Sequence, residues 1–169
     1  MGELYSSCMD MLYRISMWVA GIALLVMVAV IPVGIFARYV MNSALSWPEP
    51  VAIICMVTFT FVGAAVSYRA GSHIAVNMVI DRLGESARRF CFIVADLMLM
   101  AISLFILWYG TSLCMDLWDQ PVAEFPLVTA GENYLPLPIG SAITILFIIE
   151  KIFRGSQYQR PVVMLGSTS

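Results

Sequence analysis

The chain has 169 residues, 61% of them hydrophobic and only 12% charged, where a soluble domain carries about a quarter charged residues. That balance excludes a soluble globular enzyme and describes an integral membrane protein. A formal net charge of −2 argues against a nucleic-acid partner, and the four scattered cysteines, Cys8, Cys55, Cys91 and Cys114, show no C-x-x-C spacing that would signal a disulfide framework or a zinc site.

Residues 1–14 are short and polar. The run 15–37 carries no charge and is long enough to cross a hydrocarbon core of about 30 Å. A signal peptide has an apolar core of only about 7–15 residues, so this run reads as a retained helix. Within it, Pro32 predicts a kink and Gly34 a point of close helix approach. Arg38 to Glu49 forms an outer turn, with Tyr39 and Trp47 suited to headgroup level. Ser46-x-x-Glu49 reads as a capping box that opens a second span over 50–68, with Pro48 in its first turn. Gly63, Ser67 and Gly71 recur at four-residue spacing and predict a small-residue face for helix packing.

From Arg69 to Arg89 the pattern changes. Val76, Val79, Ile80, Leu83 and Ala87 recur at helical spacing, opposite Asn77, Asp81, Arg82, Glu85, Arg88 and Arg89. This predicts a short amphipathic helix over about 74–89, lying in the membrane interface with Arg82, Arg88 and Arg89 toward water and phospholipid. A third span follows over 90–115, interrupted only by Asp96. The loop 116–132 holds four acidic residues and no basic one. The fourth span, 133–149, is opened by Pro136 and Pro138 and closed by Lys151 and Arg154; the tail beyond is polar. The expected fold is therefore all-α: a single membrane domain of four transmembrane helices, plus the interfacial helix between the second and third.

Four spans put both termini on one side. Arg14, Arg69, Arg82, Arg88, Arg89, Lys151, Arg154 and Arg160 fall on that side and only Arg38 on the other. The positive-inside rule then places both termini and the middle loop in the cytoplasm.

Chemistry has few places to sit. Asp96 is the ionisable group inside a span, and such groups usually have a partner or a function. It lies seven residues beyond Arg89, about 10 Å along one helical face, so a structural pairing with that arginine is expected. His73 is the lone histidine, with no ligand-spaced neighbour, and a structural hydrogen-bonding role is expected. Arg38 and Glu49 flank the outer turn and can pair there. No nucleophile–base pair, phosphate-cradling loop or carboxylate pair is present, so no catalytic, cofactor or metal residue is assigned.

Arg38-Tyr39-x-x-Asn42, Trp47-x-Glu49, Gly63-Ala64-Ala65 and Arg69-x-x-x-His73-Ile74-x-Val76, in this order and spacing, resemble the small, DctQ-like membrane subunit of tripartite ATP-independent periplasmic (TRAP) transporters. The likeness is close over about residues 10–115. One departure is Pro50, where the family often carries a second acidic residue. The resemblance implies a non-catalytic scaffold of a secondary transporter for organic acids. It would anchor a large elevator-type membrane subunit, which holds the substrate and sodium sites, and help dock a periplasmic substrate-binding protein. Arg38, Asn42, Trp47, Glu49, Gly63, Ser67, Arg69 and His73 become the candidate partner contacts. Two other classes compete. A stand-alone proton-coupled exporter would use Asp96 facing a water-filled cavity. A quinone-linked disulfide-forming enzyme would need paired cysteines in the outer loops, where only Cys114 lies near.

Overall fold

The structure, a computed structural model, describes residues 2–43, 45–71, 85–122 and 125–154. Four long helices carry the chain: α1 (Gly2–Tyr39), α2 (Pro48–Arg69), α3 (Glu85–Asp116) and, after a short helix α4 (Ala130–Tyr134), α5 (Pro136–Arg154). Each of the four is long and apolar enough to cross a membrane. Between α3 and α4 lies a small antiparallel hairpin, β1 (Pro121–Val122) with β2 (Phe125–Thr129), which the sequence pattern gave no reason to expect.

The helices pack in the order α1, α2, α5, α3, so α1 and α3 are the edges of a row and have little contact with each other. The α1 seam explains the first contact. Met9, Tyr13, Ser16, Ala20, Ala23, Met27, Val30, Gly34 and Ala37 recur at alternating four- and three-residue intervals, and all are buried or half-buried. A 3.5-residue period suits the shallow crossing of coiled-coil-like pairs, and its small residues let the backbones approach. A Cβ on Gly34 would lie 3.1 Å from the Pro48 Cβ, so the close approach predicted there is real. The helix α1 itself starts well before the expected first span, at Gly2.

Both descending helices open on Pro-x-Pro. In α2, Trp47 is the N-cap, with Pro48 and Pro50 in the first turn, and the first intrahelical bond is Val51 N–H to Trp47 O at 3.3 Å. In α5, Pro136 and Pro138 precede a first bond from Ile139 N–H to Leu135 O, also 3.3 Å. First-turn amides have no intrahelical acceptor, so prolines there delete nothing. This placement overturns the expected Ser46–Glu49 capping box: Ser46 stands one residue outside the N-cap, and no side chain caps α2. A capping box does form at α4, where the Thr129 hydroxyl accepts from Glu132 N–H and Glu132 accepts from Thr129 N–H.

Gly140 fixes the crossing of α5 over α2. A Cβ there would lie 2.6 Å from the Phe61 Cβ and 2.8 Å from its carbonyl carbon, so only hydrogen fits. At the far end α2 closes on Gly71, whose φ of 66° is the left-handed conformation that favours glycine.

Most of the predicted interfacial helix, 74–84, lies outside the described residues. Its last part is corrected: residues 85–89 are the opening of α3, continuous with the third spanning helix.

Candidate functional site

Asp10, Arg69, Asp96, Glu150 and Lys151, from the four long helices, converge at one level, the end of the row where α1 begins and α5 finishes. Tyr68 and Arg69 close α2, and Glu150 and Lys151 stand in the last turns of α5. Two adjacent pairs on neighbouring helices thus reach in opposite directions along the row.

Toward α1, the Arg69 guanidinium donates from Nε to Glu150 Oε2 at 2.9 Å and from Nη2 to Glu150 Oε1 at 3.0 Å. Nη2 also donates to Asp10 Oδ1 at 2.6 Å. The side chains of Arg69 and Glu150 are 5% and 1% exposed, and that of Asp10 is 45% exposed. The guanidinium carbon lies 5.2 Å from the Tyr13 ring centre and 5.3 Å from that of Phe147, and those rings meet edge-on. Arg69 Nη1 is buried without a hydrogen bond among the described residues, and the two π faces flank its guanidinium. A bidentate fork on a carboxylate is the geometry in which a buried arginine recovers most of its lost hydration.

Toward α3, Lys151 Nζ donates to Asp96 Oδ1 at 2.7 Å, and the Tyr68 hydroxyl donates to the same oxygen at 2.9 Å. Lys151 and Asp96 are 31% and 20% exposed, and the ammonium also sits 5.1 Å from the Tyr68 ring centre. Together the two clusters join all four long helices. Just beneath them, Met9, Tyr13, Ala65 and Phe147 form the buried apolar core.

This arrangement revises several expectations. Asp96 is held by Lys151 and Tyr68, from two other helices, which the sequence did not single out as its partners; the expected partner Arg89 has its side chain outside the described set. Arg69, expected at a partner surface, is enclosed within its own chain. Gly63 likewise turns inward: its nearest neighbour on another helix is Ala20 of α1, where a Cβ would sit at 3.9 Å. Ser67 is exposed on α2, as is Ala64. At the opposite end Arg38, Asn42, Trp47 and Glu49 are exposed, Asn42 with a φ of 48°, and no ion pair joins Arg38 to Glu49 among the described residues. His73 and Arg82 lie outside the described residues. Arg88 and Arg89 stand in the opening turns of α3, with side chains outside the described set.

Glu150, Asp10 and Tyr68 were missed from sequence. A signal was present, since Arg69 ends an uncharged span and a buried cation requires a counter-charge, but nothing local says which. The same geometry bears on chemistry. Asp96 is held by a cation and a phenol, unlike a carboxylate open to a water-filled cavity. The cysteines are free thiols spread over separate positions, Cys114 buried and Cys8 exposed. No cluster of His, Cys, Asp and Glu that would hold a metal is found among the described residues.

The family model for tripartite ATP-independent periplasmic transporters, DctQ component, matches residues 27–157. The chain is 27% identical over 115 residues to the ectoine TRAP transporter small permease protein of Halomonas elongata, covering 66% of this chain and 58% of that relative. It is 28% identical over 134 residues to the sialic acid TRAP transporter small permease protein of Vibrio cholerae, covering 75% and 73%. A putative TRAP transporter small permease protein of Haemophilus influenzae is 24% identical over 129 residues, 76% of each chain. With a family match across most of its length and four helices fit to span a membrane, the chain belongs to the DctQ family as a multi-pass small membrane subunit of a TRAP transporter.

Proposed function

We propose that the chain is a non-catalytic scaffold for a secondary transporter of organic acids. It anchors a large membrane subunit that moves the substrate, and its outer turn at Arg38–Glu49 helps dock a periplasmic substrate-binding protein. The relatives' names speak of ectoine and sialic acid, both carboxylates, which supports an organic acid as substrate class. Sodium ions, expected from the resemblance, belong to the large subunit. The basic residues, eight on one side against Arg38 on the other, support an inner-membrane protein with both termini in the cytoplasm.

One observation carries the reading. The buried charges are committed to one another, Arg69 to Glu150 and Asp10, Lys151 to Asp96, so the described interior offers no unpaired cation to hold an organic anion. A transporter's own substrate site needs such groups converging near mid-membrane. Here the paired charges lie at one end and join helices.

Co-expression tests the assignment. A tagged chain solubilised with the large subunit should retain it through purification in mild detergent. Recovery of the tagged chain alone, well folded and free of the large subunit, would contradict the scaffold role.

A further inference from the structure

Three of the four tryptophans lie near the ends of the spans. Trp47 precedes Glu49, Trp118 follows Asp116, and Trp18 is one turn inside Arg14. Trp108 is different. From Asp96 to Asp116, α3 covers about 30 Å, the thickness of a hydrocarbon core, and Trp108 lies about 12 Å inside Asp116, close to the middle. Tyr109 is next to it. On this edge helix Phe105, Trp108 and Tyr109 are 61%, 74% and 59% exposed. Neither the Trp108 indole N–H nor the Tyr109 hydroxyl meets a hydrogen-bond partner among the described residues.

Polar tips near a membrane boundary normally reach for the headgroups, but the helix direction opposes that here. Side chains lean toward their helix N-terminus, and α3 runs from the paired-charge layer to the hairpin. Residues 108 and 109 therefore lean toward the membrane middle, away from the nearer boundary. The Tyr109 ring follows this lean, with its centre 4.4 Å from that of Phe105 one turn back. Lipid tails offer no acceptor to either donor, so a lipid-facing placement leaves both unmet.

We propose that the Phe105–Trp108–Tyr109 face of α3 is covered, in the assembled transporter, by a transmembrane helix of the large subunit that presents hydrogen-bond acceptors at mid-membrane depth. The proposal rests on the scaffold reading and adds where the partner sits and what it must carry. Two unmet donors on an aromatic surface complement a helix bearing hydroxyl or backbone carbonyl acceptors; a wholly apolar helix would serve no better than lipid.

The test uses the full chain with native cysteines removed and Trp108→Cys carrying a bimane label, in vesicles of phospholipid brominated near mid-chain. The isolated chain should be strongly quenched. Adding the large subunit should cut that quenching several-fold. Tyr109→Phe should weaken capture of the large subunit by about threefold, with no change in the melting of the isolated chain. A Trp108→Cys chain that folds but no longer assembles would also support the surface. Quenching that stays unchanged in a formed complex overturns the proposal, since lipid then covers the face. Quenching lost through self-association before the large subunit is added assigns the face to a second copy and overturns it equally. If the unsubstituted chain captures no large subunit, the scaffold reading fails and this surface falls with it.

Discussion

Arg69 joins three helices through one planar group, with Glu150 and Asp10 on its fork and two aromatic rings around it. Removing one member of a buried ion pair strands the other charge, which typically costs about 3–5 kcal/mol. Glu150→Gln should therefore lower stability by about 3 kcal/mol, the low end because Asp10 remains, read as a depressed melting temperature in detergent. Asp96→Asn should cost less, because the pair is partly exposed and the amide oxygen still accepts from Tyr68 and Lys151. The assembled Asp96→Asn complex should keep substantial uptake; a well-assembled complex with none would show that Asp96 carries a transported proton. Asp96 was legible in the sequence as the charge interrupting an apolar run. Its contacts with Lys151 and Tyr68 were not, because those residues become near only when the helices pack. Glu150 was hidden for a related reason: it falls one residue past the uncharged run, beside a lysine, and reads locally as a helix end.

At the scale of elements, hydropathy located the four long apolar helices, because burial in lipid demands uninterrupted apolar length. Their ends were harder to read. Two segments carry the S/T-x-x-E pattern, Ser46–Glu49 and Thr129–Glu132, and only the second forms a capping box. The difference is Pro48, whose fixed φ and missing N–H suit it to the first helical position and move the cap to Trp47. Small residues were visible too, but their partners were not: Gly63 faces α1, while the tightest crossing belongs to Gly140, which no spacing pattern had marked. Gly140→Ala would place a methyl group 2.6 Å from the Phe61 Cβ, so α2 and α5 must separate. Overpacking of this kind costs about 1–3 kcal/mol, and the variant should melt earlier, whereas Gly21→Ala, with nothing within 4 Å of the added carbon, should not.

Across the whole molecule, the row of helices leaves long apolar surfaces on α1 and α3 that only lipid or another subunit can cover. Orientation follows from charge and is directly testable. Single cysteines at Glu124 and Gln157, in a background without the native ones, should react differently with an impermeant maleimide in cells whose outer membrane is permeabilised. Position 124 should label and position 157 should not; the reverse would invert the chain and move Arg38–Glu49 to the side away from a periplasmic binding protein.

The central claim is that this chain supports transport without performing it, and reconstitution tests it most directly. Purified alone into sealed vesicles, the chain should move no organic anion under an imposed sodium or proton gradient. When the large subunit and the binding protein are added, gradient-driven uptake should appear. Robust uptake by the isolated chain would contradict the scaffold account and point back to a carboxylate such as Asp96 as a working transport group.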